Sequence, residues 1–130
     1  MLKKSTLFAL HSFVEIPLGI IVLISPTFIP SIVGSIPTGI EGMNLWRTIG
    51  LTILSLGVLT WRTRNDSSDS KLMHEILLAL VLFHFMTALV DVHAQLLQTR
   101  GGLGWVLVAG HLFFGVMFCT QLCTGKKSTS

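Results

Sequence analysis

Several ionisable residues interrupt stretches that are otherwise apolar enough to lie in a membrane, among them His11, Glu15, His84, Asp91 and His111. Imidazole and carboxylate groups are the side chains that enzymes use most often for general acid–base catalysis. In hydrocarbon their charged forms are costly, so each group needs a partner or a chemical task. The pattern therefore predicts either proton transfer inside an apolar cavity or a set of polar contacts that holds helices together.

Spacing within each stretch indicates which of these side chains share a helix face. His11 and Glu15 are four residues apart, as are Thr87 and Asp91, and His84 lies three residues before Thr87. A buried glutamic acid beside a histidine is typical of acid–base chemistry. The alternative is a neutral Glu15 that is hydrogen-bonded to a histidine and only stabilises the protein.

A second polar layer is predicted nearer one edge of the membrane, where Arg47 and Asp91 come to a similar depth. This pair is interpreted either as a structural ion pair or as an anchor for the polar end of a ligand, with the guanidinium of Arg47 as the donor. His84 and His111 on facing helices would also suit haem, copper or a di-iron pair. The Glu-x-x-His pattern of di-iron bundles is absent from the chain. The preferred hypothesis has no metal and no cofactor, with haem or metal as the alternative.

Four apolar stretches must position these residues. They predict transmembrane helices over residues 7–24, 44–61, 72–97 and 105–123. A helix over 72–97 is about 39 Å long, whereas the hydrocarbon core is about 30 Å thick, so His84 falls near its middle. Prolines and glycines between residues 25 and 43 predict an interfacial connection with a short helix near 29–34. Residues 1–130 are thus predicted to be a single all-α domain, a four-helix transmembrane bundle.

Composition and charge support an integral, multi-pass membrane protein. The chain is 51% hydrophobic and 12% charged, whereas soluble domains average about 25% charged residues. No basic face with interleaved aromatic residues is present, so nucleic acid is not an expected partner. Seven of the nine Lys and Arg residues lie at one predicted side, and the positive-inside rule makes it cytoplasmic together with both termini. They are Lys3, Lys4, Arg62, Arg64, Lys71, Lys126 and Lys127.

This topology gives the depth of each polar residue. Counted at 1.5 Å per residue, Glu15 lies about 13 Å, His84 about 19 Å and His111 about 18 Å from a membrane edge. Three helices therefore contribute ionisable groups to one middle layer. Gly50 and Gly57 share a face of the second helix and predict close helix packing there.

The segment NLWRTIGLTILSLGVLTW resembles the second helix of small four-helix membrane families, notably the DoxX-like group and related domains of unknown function. Arg47, Gly50 and Gly57 match the usual spacing of one arginine and two glycines in those families. The resemblance implies the four-helix architecture but no single activity. In size and topology alone, the chain is also similar to small fungal integral-membrane tailoring enzymes such as cofactor-free anthrone oxygenases. No catalytic residue is transferred from either group.

The functional hypothesis from the sequence is a membrane-embedded enzyme that isomerises, cyclises or oxygenates a lipophilic small molecule. Glu15, His84 and His111 are the predicted catalytic residues, and Arg47, Asp91 and His11 are predicted to bind substrate. Membrane lipids are expected partners, and a homo-oligomer or a partner membrane protein is an open alternative. The competing hypothesis is a non-catalytic subunit, scaffold or lipid-binding protein. A transporter is the third.

Overall fold

The computed structural model describes residues 2–35, 37–66, 70–97 and 101–125. This part of the chain is helical and contains no strand, which confirms the all-α prediction. The helices are α1 (Lys4–Ile24), α2 (Phe28–Ile32), α3 (Gly39–Thr63), α4 (Lys71–Leu96) and α5 (Gly104–Gly125). By length and composition, α1, α3, α4 and α5 could each cross a membrane. They correspond to the four predicted spans, and α2 corresponds to the short helix predicted near residues 29–34.

The largest difference from the predicted boundaries is the start of α3, which begins at Gly39 rather than at residue 44. The density of prolines and glycines suggested that the connection would continue to residue 43. However, Pro37 is its last proline, and Thr38 is already the extended residue that precedes the helix. Glu41 lies in the first turn, where a negative charge is stabilised by the helix dipole. The glycines alone do not prevent a helix here.

The helices pack as two pairs, α1 against α3 and α4 against α5. Glycines allow the backbones of the first pair to approach closely. A Cβ atom on Gly19 would lie 2.6 Å from the backbone nitrogen of Leu54 and 2.8 Å from the carbonyl oxygen of Gly50. One on Gly57 would lie 3.0 Å from the Cβ of Glu15. The predicted packing role of Gly50 and Gly57 is confirmed, and Gly19 is their counterpart on α1.

Both ends of the bundle are tied by contacts between elements that are distant in sequence. At one end, Lys4 Nζ donates to the carbonyl of Asp66, and Gln121 Nε2 donates to the carbonyl of Leu2 at 2.7 Å. At the other end, the backbone nitrogen of Gly101 donates to the carbonyl of Val33 at 2.8 Å. The start of α1 and the end of α5 therefore lie at the same end of the bundle.

An apolar cluster joins the two helix pairs near this first end. It contains residues of α1, α4 and α5, and the rings of Phe8 and Phe118 meet edge to face with centroids 5.7 Å apart. The outer surface is apolar as well. Phe13, Ile24 and Leu96 each expose 70% or more of their surface, and all four long helices carry large exposed apolar side chains. A soluble monomer rarely exposes so much contiguous apolar surface, so this exterior suits lipid.

Candidate functional site

Three histidines from three helices form a continuous chain through the bundle. His11 Nε2 on α1 lies 3.0 Å from His84 Nε2 on α4, and His84 Nδ1 lies 3.0 Å from His111 Nδ1 on α5. We call these residues the histidine chain. His11 and His84 are 0% exposed, so water cannot satisfy their ring nitrogens from outside. Each therefore depends on its protein neighbours for hydrogen bonds.

The fourth long helix joins the histidine chain through Thr60. Its hydroxyl oxygen lies 3.0 Å from His11 Nδ1 and 2.8 Å from Ser12 Oγ. Thr60 is fully buried and follows Gly57 by three residues, so it lies on the face of α3 that packs against α1. Thr60 was not among the predicted site residues. In the sequence, the contact of Thr60 is indicated only by its position on the same helix face as Gly50 and Gly57.

A carboxylate lies near each end of the histidine chain. Glu15 Oε1 is 3.7 Å from His11 Nε2, and Asp91 Oδ2 is 3.7 Å from His111 Nε2. These separations exceed those of ordinary hydrogen bonds but are short enough for strong electrostatic interaction in an apolar interior. Glu15 is 4% and Asp91 3% exposed. The site thus combines three imidazoles and two carboxylates inside the protein.

A cavity of about 290 Å³ lies beside the histidine chain. Glu15, Asp91 and His111 line it, whereas His11 and His84 lie behind its wall. Three threonines also line the cavity: Thr48, Thr52 and Thr87. The remaining lining is apolar and comes from all five helices: Leu18, Val22, Ile29, Trp46, Ile49, Ile53, Phe83, Val90 and Leu107. An apolar cavity with a few convergent polar groups is the usual form of a small-molecule site.

Aromatic rings enclose the middle of the histidine chain. The ring centroids of Phe83, Phe114 and Phe118 lie 5.2, 5.5 and 5.6 Å from that of His84. The rings of Phe114 and Phe118 are also within 5.1 Å of His11. This packing lowers the local dielectric, which strengthens hydrogen bonds that are made and raises the cost of any that are broken.

His11, Glu15 and His84 also meet in a geometry that could hold a metal ion. One ligand atom from each residue lies within 4.8 Å of the other two, and all three residues are buried. Two imidazoles and one carboxylate are a donor set found in catalytic zinc and non-haem iron sites.

The structure brings together most of the residues that the sequence singled out. The predicted catalytic residues Glu15, His84 and His111 belong to one network, and His11, predicted to bind substrate, is its link between Glu15 and His84. Asp91, the second predicted binding residue, lines the cavity. Neither His11 nor His84 lines the cavity.

Arg47 does not form the predicted pair with Asp91 in the described part of the chain. Its side chain is on the bundle surface and donates to Asn44 Oδ1 at 3.2 Å. Asp91 lies instead against His111. The prediction used depth alone, and depth does not determine the rotation of a side chain about the helix axis. Trp46, Thr48 and Ile49 are the residues of this turn that line the cavity.

Comparison with protein-family models, characterised proteins and solved structures found no match to this chain. The resemblance of α3 to the DoxX-like group therefore stays a prediction.

Proposed function

We propose that this protein is an integral, multi-pass membrane enzyme that performs acid–base chemistry on a small lipophilic molecule. One observation carries the proposal: an apolar cavity between helices able to span a membrane is lined by two carboxylates and an imidazole. Buried ionisable groups are costly in such surroundings, and intramembrane examples are usually functional. A lipophilic substrate could reach the cavity from the bilayer.

Asp91 and His111 are the proposed acid–base pair. The carboxylate lies near Nε2 of the imidazole, and His84 lies against the other ring nitrogen. His84 orients the ring from Nδ1, the side from which the carboxylate orients the catalytic histidine of serine hydrolases, and Nε2 lies beside Asp91. Because Asp91 and His111 both line the cavity and lie beside each other, a proton can pass between this pair and a bound substrate.

Glu15 supplies a second carboxylate to the same cavity. An acid and a base in one water-poor space can remove a proton from one substrate atom and return a proton to another. Isomerisation and cyclisation fit this pair of acid and base groups best, because both reactions rearrange only the atoms of the substrate. The aromatic and aliphatic lining would hold a terpenoid-like or polyketide-like skeleton, and the threonine hydroxyls would orient its few polar groups.

Mass spectrometry of organic extracts tests the proposal. Cells with and without the gene are compared, and the null cells are complemented with wild type, Glu15→Gln or His111→Gln. We expect one lipophilic metabolite to change on loss of the gene and to be restored only by wild type. Glu75→Gln and His93→Gln, which change exposed residues of α4, are matched controls and should restore it. Extracts that are identical with and without the gene would contradict the proposal.

A non-catalytic membrane subunit is the second candidate function. It is favoured by the observation that the histidine chain and Thr60 connect all four long helices, as a purely structural network would. In that case Glu15→Gln and His111→Gln lower the amount of inserted protein without altering any metabolite. A subunit would also copurify with a partner at fixed stoichiometry.

A further inference from the structure

We infer that His11, Glu15 and His84 form a binding site for a divalent transition-metal ion. This site goes beyond the proposed function, which needs no metal. The two imidazole Nε2 atoms lie 3.0 Å apart, and Glu15 Oε1 lies 3.7 Å from that of His11. All three ligand atoms fall within 4.8 Å of one another in a buried position.

These distances are those of ligands that converge on one ion. Zinc binds imidazole nitrogen at about 2.0–2.1 Å and carboxylate oxygen at about 2.0–2.2 Å. Two such ligands at a tetrahedral angle are about 3.3 Å apart. The separations from His11 to His84 and to Glu15 lie on either side of this value, and the ligand atoms of His84 and Glu15 lie within 4.8 Å of each other. Small side-chain movements would therefore complete the coordination.

The Nδ1 atom of each imidazole has a polar neighbour, as is usual for histidines that bind a metal through the other ring nitrogen. Such histidines place their other ring nitrogen against a hydrogen-bonding partner, which orients the ring and selects its tautomer. His11 Nδ1 lies 3.0 Å from Thr60 Oγ1, and His84 Nδ1 lies 3.0 Å from His111 Nδ1. Both rings are thus oriented with their Nε2 atoms toward the same point.

One tautomer of His84 leaves room for a cation between the two Nε2 atoms. The Thr60 hydroxyl lies 3.0 and 3.1 Å from two backbone carbonyls of α3. When the hydroxyl donates its single proton to one of these carbonyls, its oxygen accepts from His11 Nδ1. A neutral imidazole has one N–H, which leaves a lone pair on His11 Nε2. When His84 donates from Nδ1 to His111, its Nε2 lone pair faces that of His11 at 3.0 Å. A cation makes this arrangement favourable.

The donor set indicates the class of ion. Magnesium and calcium prefer sites built from oxygen, whereas two imidazoles and one carboxylate suit Zn²⁺ or Fe²⁺. Three protein ligands also leave a coordination position for water or substrate. Because Glu15 lines the cavity, the ion would lie at the cavity wall. Glu15 is then a ligand, and the acid–base chemistry belongs to Asp91 and His111.

The metal content of the purified protein tests the site without knowledge of the substrate. The full chain is prepared in detergent with a tag free of histidine, from cells supplied with zinc and iron, and its metals are measured by mass spectrometry. Stripped protein is then titrated with Zn²⁺ and with Co²⁺, whose visible spectrum reports the coordination geometry. We expect about one ion per wild-type chain.

Substitutions assign the ion to this position. His11→Gln and His84→Gln should lose the ion, whereas His74→Gln and His93→Gln, outside the cluster, should keep it. Thr60→Val preserves the side-chain shape but removes the oxygen beside His11 Nδ1, so it should weaken zinc binding about 10–100-fold. Thr60→Ser should largely restore it. Circular dichroism and gel filtration establish that each variant is folded. Among the variants, Glu15→Gln and Thr60→Val change the shape of the site least.

Wild-type protein that neither contains nor takes up zinc, cobalt or iron would overturn the inference. The inference would also be overturned if the cluster variants kept the ion and His74→Gln or His93→Gln removed it. The ion would then be bound outside the cluster. The result is independent of the proposed function. Stoichiometric metal with unchanged extracts contradicts only the enzyme, and an altered metabolite with a metal-free protein contradicts only the metal site.

Discussion

His84 is the central residue of the polar network. Its side chain is completely buried, both ring nitrogens lie 3.0 Å from another histidine, and three phenylalanine rings surround it. In such surroundings the cost of losing a partner exceeds the net gain of the original hydrogen bond, because the group left behind cannot turn to water. The network should therefore be sensitive to substitution at its centre.

We expect His84→Leu to lower the free energy of unfolding by about 1–3 kcal/mol. The substitution removes the neighbour of His11 Nε2 and of His111 Nδ1, and leucine can replace neither contact. His93→Leu is the matched control, because His93 is an exposed residue of the same helix. Thermal unfolding in detergent, followed by circular dichroism, provides the measurement. Equal unfolding temperatures for the two variants would show that the histidine chain contributes nothing to stability.

At the scale of residues, the sequence predicted the composition of the site better than its contacts. Counting depth along each helix placed Glu15, His84 and His111 in one layer, and the structure joins them through His11. Rotation about the helix axes could not be obtained in this way. For that reason the position of Arg47 on the surface was not predicted. The contact of Thr60 with His11 was missed because a threonine in an apolar helix gives no distinctive signal.

At the scale of elements, the pairing of α1 with α3 brings Glu15 and His11 against Thr60. Small residues determine how closely the two helices approach, as is common where helices associate within membranes. The sequence predicted the contribution of α3 from the spacing of Gly50 and Gly57. It did not predict Gly19, because a single glycine that follows Pro17 in an apolar stretch is equally consistent with a helix irregularity.

Gly19→Ala should destabilise the protein, whereas Gly110→Ala should not. A methyl group on Gly19 would lie 2.6 Å from a backbone nitrogen of α3, so the two helices must separate. Overpacking of this kind typically costs about 1–3 kcal/mol. At Gly110 no atom lies within 4 Å of the added methyl group, and alanine is favoured over glycine in helices by up to about 1 kcal/mol.

Denaturation in detergent compares the two alanine variants under identical conditions. A loss of stability in Gly19→Ala, with wild-type or higher stability in Gly110→Ala, would support close packing of α1 against α3. If both variants matched wild type, the approach of these helices at Gly19 would be looser than the structure indicates. A loss of stability in Gly110→Ala alone would contradict both the close approach at Gly19 and the open space at Gly110.

At the scale of the whole molecule, polarity is arranged in the opposite way to that of a soluble bundle. The histidine chain, Glu15 and Asp91 are inside, while large apolar side chains cover the outside of all four long helices. Composition predicted this arrangement, because only 12% of the residues are charged, whereas soluble domains average about 25%. The cavity was not predictable in its details, because its wall contains residues from all five helices.

The orientation of the bundle in the membrane is the last property to test. Lys4, Arg62 and Lys71 lie at the end that carries the start of α1, and basic residues favour the cytoplasmic side. We expect Asn65→Cys to react with a membrane-impermeant maleimide only after cells are permeabilised, and Gly102→Cys to react in intact cells. Both positions are exposed, and the background carries Cys119→Ser and Cys123→Ser to remove the native thiols. The unsubstituted background must remain unlabelled. The reverse labelling pattern would place the basic end outside the cell. The distribution of Lys and Arg would then not determine the orientation of this protein.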